Sequence, residues 1–483
     1  MSAWLLLIPI LLPIIGGFIA RFFEKNSTAR KVFSLFVVCL TSSFVIWFTF
    51  TVSSEVETII KFGKYFSFAL KLDGTGKIFS MMVALLWPFA LLYSFAYMED
   101  ERRQDVYNSY YIMTFGIVLG IAYSANLMSM YVIYEALTFI TLPLITHTAT
   151  KEARRAGRMY LYYSLTGSSV ALVGMGMLVI NAGTLDFVPH GSTTDAMQLA
   201  YALLFFGFGV KAAIFPLCHW LPAASAAPTP TTALLHAVAV VKAGAFAIIR
   251  TTYYCFDINK LQGSVVQGIA LGFAAFTIVY GALKAAKEQH FKRRLAYSTI
   301  ANLSYILFGV ALMTKAGLIA ALIHLVYHSI TKIGLFFACG AIIKNSGAHY
   351  VYELDGMGKK MPITFTFFTL SALSLTGIPL FACFVSKWYL CTAAIELNSF
   401  VGYMGMAALI ISSLFTAIYA LSIPIRAFVY KPNVISQPIV EKAKEPGILY
   451  LVTIGVFAIL AVVFGVMSTP LVDAITSAVG GLV

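Results

Sequence analysis

Pro228-Thr-Pro-Thr-Thr-Ala-Leu-Leu-His236-Ala-Val-Ala-Val-Val-Lys242-Ala-Gly-Ala-Phe-Ala-Ile-Ile-Arg250-Thr-Thr252 is the stretch whose reading decides the fold. It is long and apolar enough to cross a bilayer, which needs roughly 20 such residues. Yet it carries a histidine and a lysine in its middle. The whole chain agrees with a membrane reading. Of 483 residues, 60% are hydrophobic and 11% charged, and the mean hydropathy is +0.86. A soluble domain has about 25% charged residues, so there are too few charges here to cover a water-facing surface. A soluble enzyme, a disordered chain and a nucleic-acid-binding domain are excluded on that ground.

Working outward, apolar runs fall near 3–21, 31–53, 75–98, 106–124, 126–148, 158–181, 199–219, 228–252, 263–283, 296–313, 315–343, 361–393, 400–430 and 446–468. The expectation is an all-α polytopic protein of about fourteen transmembrane helices, a single membrane domain over 1–483. The shortest gaps follow Ser124 and Met313. The first run has no basic region ahead of it and reads as a span, not a cleaved signal. Six cysteines, Cys39, Cys218, Cys255, Cys339, Cys383 and Cys391, sit in or beside apolar runs without metal or cluster spacing. They read as small core residues.

The net charge of +13 is a topology signal. Counted by alternate loops, 22 Lys and Arg fall on one side and seven on the other. The first group includes Lys25, Arg30, Lys292 and Arg294; the second includes Lys64 and Arg250. The positive-inside rule then places both termini outside. The basic excess faces anionic lipid headgroups, not nucleic acid.

Four lysines remain inside apolar runs: Lys211, Lys242, Lys332 and Lys387. Only one acid, Glu135, sits mid-helix. Each such charge costs roughly 2.5–3.5 kcal/mol to insert, which points to function. The ordinary alternatives are a static ion pair and a lysine snorkelling to the interface. A Glu–Lys pair that opens and closes is a proton gate, because the lysine holds its proton less firmly when the carboxylate withdraws. His324, His328 and Lys332 are spaced i, i+4, i+8 on one helix face. For the two histidines a proton relay, interhelical hydrogen bonds and a zinc site all remain open, although no cysteine or carboxylate lies beside them to complete a metal set. His236 lies six residues before Lys242, which does not place the two on one face.

Two helices are expected to be broken, at Pro216 and at Gly377-Ile-Pro379. Proline removes a backbone donor, and such breaks in corresponding halves point to a transport site. They fall five helices apart, which suggests two repeats of five helices, over 106–252 and 263–430.

These residues carry a resemblance. The run from Phe215 through Trp220-Leu-Pro to His236 and Lys242-Ala-Gly resembles the signature of the antiporter-like subunits of respiratory complex I, Mrp-type cation/proton antiporters and membrane-bound energy-converting hydrogenases. Lys292-Arg-Arg-Leu-Ala-Tyr-Ser298, His324-Leu-Val-Tyr-His328-Ser-Ile-Thr-Lys332, Gly377-Ile-Pro-Leu and Phe384-Val-Ser-Lys387 match in family order. The resemblance implies inverted repeats of helices four to eight and nine to thirteen. It also implies roles: Glu135 and Lys211 as the coupled pair, His236 and Lys242 as the next step, His324, His328 and Lys332 as the central relay, Lys387 as the terminal site. There are departures. Ala223, Ala224 and Ser225 stand where an acid and a histidine are common, His290 where an Asp is usual, and Leu380 and Cys383 where the break usually has Pro and Gly. The chain ends soon after its last span, so a shorter member without a long lateral helix is expected.

The expected function is translocation of protons, with Na⁺ as the alternative ion, by one subunit of a hetero-oligomeric complex in the prokaryotic cell (inner) membrane. Its partners would be further antiporter-like subunits and a peripheral redox module. No nucleotide, haem or cluster pattern is present, so no cofactor or metal is expected in this chain, and iron–sulfur groups only in partners. The competing readings are a stand-alone secondary transporter of a small solute and a non-conducting scaffold subunit.

Overall fold

The computed structural model describes residues 3–23, 28–52, 55–62, 66–191 and 194–482. Lys25 and Lys64, used in the charge count above, lie outside them. After α1 (Leu7–Ala20) and α2 (Thr28–Thr51) comes an antiparallel hairpin, β1 (Glu57–Phe62) and β2 (Phe66–Leu70), which holds the only strands among the described residues. Then follow α3 (Gly74–Tyr97), α4 (Gln104–Tyr123), α5 (Leu127–Ile145), α6 (Lys151–Ala182), α7 (Asp195–Gly209) and α8 (Thr229–Cys255). The second half holds α9 (Val265–Lys287), α10 (Phe291–Ala311), α11 (Lys315–Ser346), α12 (Pro362–Thr376), α13 (Ala382–Glu396), α14 (Phe400–Phe428), α15 (Ile448–Val466) and α16 (Thr469–Val479).

Among the described residues nine helices are long and apolar enough to cross a membrane. The chain is a multi-pass membrane protein. The two short gaps are real turns, each closed by an N-cap side chain that accepts an orphan backbone N–H. Asn126 accepts from Ser129 N at 2.7 Å, and Thr314 from Gly317 N at 3.0 Å.

Burial sorts the helices into inner and outer. The apolar window of α8 is 100% buried and that of α11 is 94%, against 33% for α6 and 39% for α14. α11 packs against α3, α8, α10, α12, α13, α15 and α16. The apolar windows of these two helices are thus enclosed by the rest of the protein, and they are the helices that carry His236, Lys242, His324, His328 and Lys332. Lipid-facing charge is not tolerated at that depth.

Both broken helices appear where proline and glycine predicted them. α7 stops at Gly209, and residues 210–219 run as turns. The freed groups find protein partners, as helix breaks in hydrocarbon require. Tyr134 Oη donates to Phe208 O at 3.1 Å, Trp220 Nε1 to Val210 O at 2.8 Å, and Phe215 N to Thr277 Oγ1 at 3.1 Å. α12 ends at Gly377 in the left-handed region, φ +87°, which glycine adopts without strain. Leu380 is also left-handed, φ +75°. A proline there could not take that angle, since its ring holds φ near −65°.

Four basic residues assigned to loops are corrected. Arg30 lies within α2, fully buried, and its Nη2 donates to Gln104 Oε1 at 3.1 Å. Arg250 lies within α8 and is fully buried; Lys292 and Arg294 open α10 and are 9% and 4% exposed. Each is accommodated because acceptors surround it. Arg250 pairs with Asp73 and donates to Ala122 O at 3.0 Å. Lys292 Nζ donates to Ala227 O at 2.8 Å, and Arg294 reaches Tyr419 O at 3.2 Å and Ser422 Oγ at 2.9 Å.

Candidate functional site: a buried line of lysines and histidines

α5 and the α7 break build the first station. Lys211 Nζ stands 4.0 Å from Glu135 Oε1, and its side chain is 1% exposed against 17% for the carboxylate. The ammonium donates to Tyr134 O and sits 3.5 Å from the centre of the Tyr134 ring. Glu135 Oε1 is buried without a hydrogen bond. The charges are thus held close but not joined, with a backbone carbonyl and an aromatic face as the lysine's other supports. Packing fixes the distance to α8, because Gly244 lets the two backbones touch. A Cβ there would meet Ala212 N at 2.6 Å and Lys211 C at 2.8 Å.

α8 and α11 build the centre. A wide turn of π type, Leu234–Val238, surrounds His236, a device frequent at functional sites. Both His236 nitrogens are buried without a hydrogen bond, and the ring lies 5.0 Å from that of Phe336. Lys242 Nζ shares a 2.8 Å hydrogen bond with His328 Nδ1. The His324 and His328 rings stack at 5.6 Å and 17°. His328 thus contacts both Lys242 and His324. Lys332 turns to α10 and donates to Ser298 Oγ and, at 3.0 Å, to Leu295 O.

The α12/α13 break builds the last station. His324 Nδ1 shares a 2.8 Å bond with Ser386 Oγ, next to Lys387 in sequence. Lys387 Nζ donates to Leu375 O and Thr376 O, both at 2.9 Å, and to Ser413 Oγ at 3.2 Å. It therefore caps the carboxyl end of α12, where orphan carbonyls and the helix dipole favour a cation. Among the described residues Lys242, Lys332 and Lys387 have no carboxylate within 4 Å, so Glu135 is the only acid paired with one of the four buried lysines.

The eight sequence-selected residues thus form three groups: Glu135 with Lys211, then His236, Lys242, His328, His324 and Lys332, then Lys387. Pro216, Gly377 and Pro379 lie at the two breaks. Among the described residues no group of three His, Cys, Asp or Glu is placed to hold a metal ion. Ser298, Ser386 and Ser413, which hold Lys332, His324 and Lys387, were not singled out as site residues. Their signal was present, since Ser298 closes the Lys292–Ser298 run and Ser386 adjoins Lys387. Hydroxyls are too common in helices to stand out alone. The Asp73–Arg250 pair joins residues 177 positions apart and left no local signal.

Five of these buried titratable groups thus gather on the two inner helices of a polytopic helical protein. The comparisons make the assignment specific. Residues 124–416 match the family model described as NADH:quinone oxidoreductase/Mrp antiporter, TM, and the chain belongs to this family. The chain is 29% identical over 511 residues to Na(+)/H(+) antiporter subunit A1 of Staphylococcus aureus, covering 98% of this chain and 62% of that protein. It is also 29% identical over 517 residues to the same subunit of Staphylococcus haemolyticus, covering 99% and 62%. The chain thus spans less than two thirds of the length of these relatives. Its fold is that of a chain in the membrane-bound sulfane sulfur reductase, an archaeal respiratory membrane complex, with TM-score 0.86, 24% identity and coverage of 98% and 96%. It is equally that of a chain in the Mrp complex of a Dietzia species, with TM-score 0.86, 22% identity and coverage of 100% and 98%.

Proposed function

We propose that this chain is the proton-translocating membrane subunit of a hetero-oligomeric cation/proton antiporter of the Mrp type. The observation that carries the reading is the buried run from Lys242, hydrogen-bonded to His328, through the stacked His324 ring to Ser386, which adjoins Lys387 in sequence. Proton transfer needs groups in hydrogen-bond reach or joined by water. The Glu135–Lys211 pair is the gate: when the two close, the charge on Lys211 is held, and when they part the proton is released toward α8. His236 and Lys332 exchange protons with the centre, and Lys387 delivers them at the far break. The spread of charges over five elements fits a lateral relay better than a solute carrier, which would gather them in one pocket.

The architecture proposed with it counts each broken helix as one crossing, which gives fourteen spans in a single membrane domain. Spans four to eight, over 106–252, and nine to thirteen, over 263–430, are inverted repeats. An even count puts both termini on one side, and the charge bias puts that side outside the prokaryotic cell (inner) membrane. The partners are further membrane subunits of antiporter-like type. A redox-driven complex is the second reading, favoured by the equal likeness to the sulfur-reducing respiratory complex; iron–sulfur groups would then belong to a peripheral partner.

The test is cation-driven proton movement in everted vesicles carrying the whole complex. Lys242→Met should remove Na⁺-driven exchange at normal complex abundance. Exchange at the wild-type rate would refute the relay. Proton movement driven only by an electron donor would move the assignment to the redox complex.

A further inference from the structure

α14 is amphipathic in an unusual way. One face exposes Met404, Ile411, Leu414, Ile418 and Ile425, as a lipid-facing helix should. The other turns Ser412, Thr416 and Tyr419 inward at helical spacing; the first two are 0% exposed and Tyr419 is 1%. At one end of this hydroxyl stripe, Tyr419 Oη lies 3.1 Å from Thr416 Oγ1 and close to Ser298, whose Oγ accepts from Lys332 Nζ and donates to Leu295 O at 2.8 Å. At the other end, Ser413 Oγ accepts from Lys387 Nζ at 3.2 Å. The Tyr305 hydroxyl, near Ser412 and Ser413, donates to Leu409 O at 3.4 Å, and its ring lies 5.5 Å from Lys387 Nζ. Ser412 Oγ is buried and has no fixed hydrogen-bond partner.

We propose that the Ser412–Ser413–Thr416–Tyr419 face of α14, with Ser298 and Tyr305, is a second proton path from Lys332 to Lys387, parallel to the imidazole path through His328 and His324. The inference rests on the relay reading above and adds residues to it. Each hydroxyl both donates and accepts. A proton leaves the Lys332 ammonium for Ser298 Oγ as the Ser298 hydroxyl turns from Leu295 O and passes its own proton to Tyr419. The same exchange repeats along the stripe until a neutral Lys387 amine gains one proton. Every O–H formed is matched by one broken, and no hydroxyl keeps a charge. Thr416 also donates to Ser412 O at 2.7 Å, which holds its oxygen beside Tyr419. Three links lack a direct hydrogen bond: Ser298 to Tyr419, Thr416 to Ser412 one turn of about 5.4 Å away, and Ser412, whose Oγ has no partner, to Ser413; a water or a turned hydroxyl must close each.

Two parallel paths have a signature that a packing role lacks. In everted vesicles with the whole complex at equal abundance, Tyr419→Phe and His324→Ala should each lower exchange about two- to five-fold, and the double variant should have none. Thr416→Val, which keeps shape and loses the hydroxyl, should behave as Tyr419→Phe does. A His324→Ala variant with no measurable exchange, or one whose residual exchange survives both Tyr419→Phe and Thr416→Val, would overturn the second path. Lys332→Met and Lys387→Met run beside them: wild-type exchange in both would sink the relay itself, a different result from loss of the α14 path alone.

Discussion

Glu135→Gln removes a carboxylate 4.0 Å from the Lys211 ammonium while keeping the shape of the side chain. At an effective dielectric near 20, two unit charges at that distance interact by about 4 kcal/mol. Partial exposure of Glu135 trims this to about 3 kcal/mol, still near a hundredfold at 1.36 kcal/mol per decade. If the gate works through that interaction, Glu135→Gln and Lys211→Met each cut exchange about a hundredfold. The double variant is then no worse than either alone, because residues acting as a unit are not additive. The assay is acridine-dye recovery in everted vesicles on Na⁺ addition, normalised to complex abundance on a native gel. Glu135→Gln exchanging at more than half the wild-type rate, in a normally assembled complex, would refute the gate. Loss of the assembled complex would instead support a static pair.

At the second break, Gly377→Ala places a Cβ 2.8 Å from Lys387 Cδ at φ +87°; strain of about 1–3 kcal/mol should displace the ammonium from the α12 carbonyls and lower exchange with Lys387 still present. Gly244→Ala should push α8 away from the 210–219 turns and lower the thermal midpoint of the purified complex, read by dye-based melting. Asp73→Asn leaves the buried Arg250 charge without its partner, which costs about 3–5 kcal/mol, so the complex should fall in abundance; Asp73→Leu with Arg250→Met should restore it. His290 sits in the loop before α10, where burial first, then Arg293 and Lys292, push its pKa down to about 4. Its contribution to stability is whole above the unfolded value near 6.5 and is lost as pH falls from there toward 4. His290→Gln should flatten the thermal midpoint over that range.

How much was legible follows from how each feature is encoded. Helix positions are local: a run of about 20 apolar residues has one solution in lipid, and even the turns after Ser124 and Met313 are marked by Asn126 and Thr314. Both breaks are local too, since Pro216, Gly377 and Pro379 act on their own backbone. The eight candidate residues were visible because a charge or imidazole inside an apolar run is conspicuous against its neighbours. The i, i+4, i+8 spacing of His324, His328 and Lys332 needs no more than helix geometry.

What the residues pair with is not local. His236 and Lys242, six apart and expected on different faces, both lie in the fully buried helix, because the π-type turn changes the local winding and α8 is enclosed on every side. Arg250, Lys292 and Arg294 sit near helix ends, where a sequence allows solvent or burial equally. Only the positions of Asp73, Ala227 and Tyr419, each more than 60 residues distant, make burial tolerable. The hydroxyls of Ser298, Ser386, Ser413 and Tyr419 look like any helical serine or tyrosine until packing sets them beside an ammonium or an imidazole. Local chemistry alone therefore determined which residues are costly to bury. The tertiary structure decided which acceptor each one meets, because the energy of a buried charge depends on partners that only the packed chain brings within 3 Å or so.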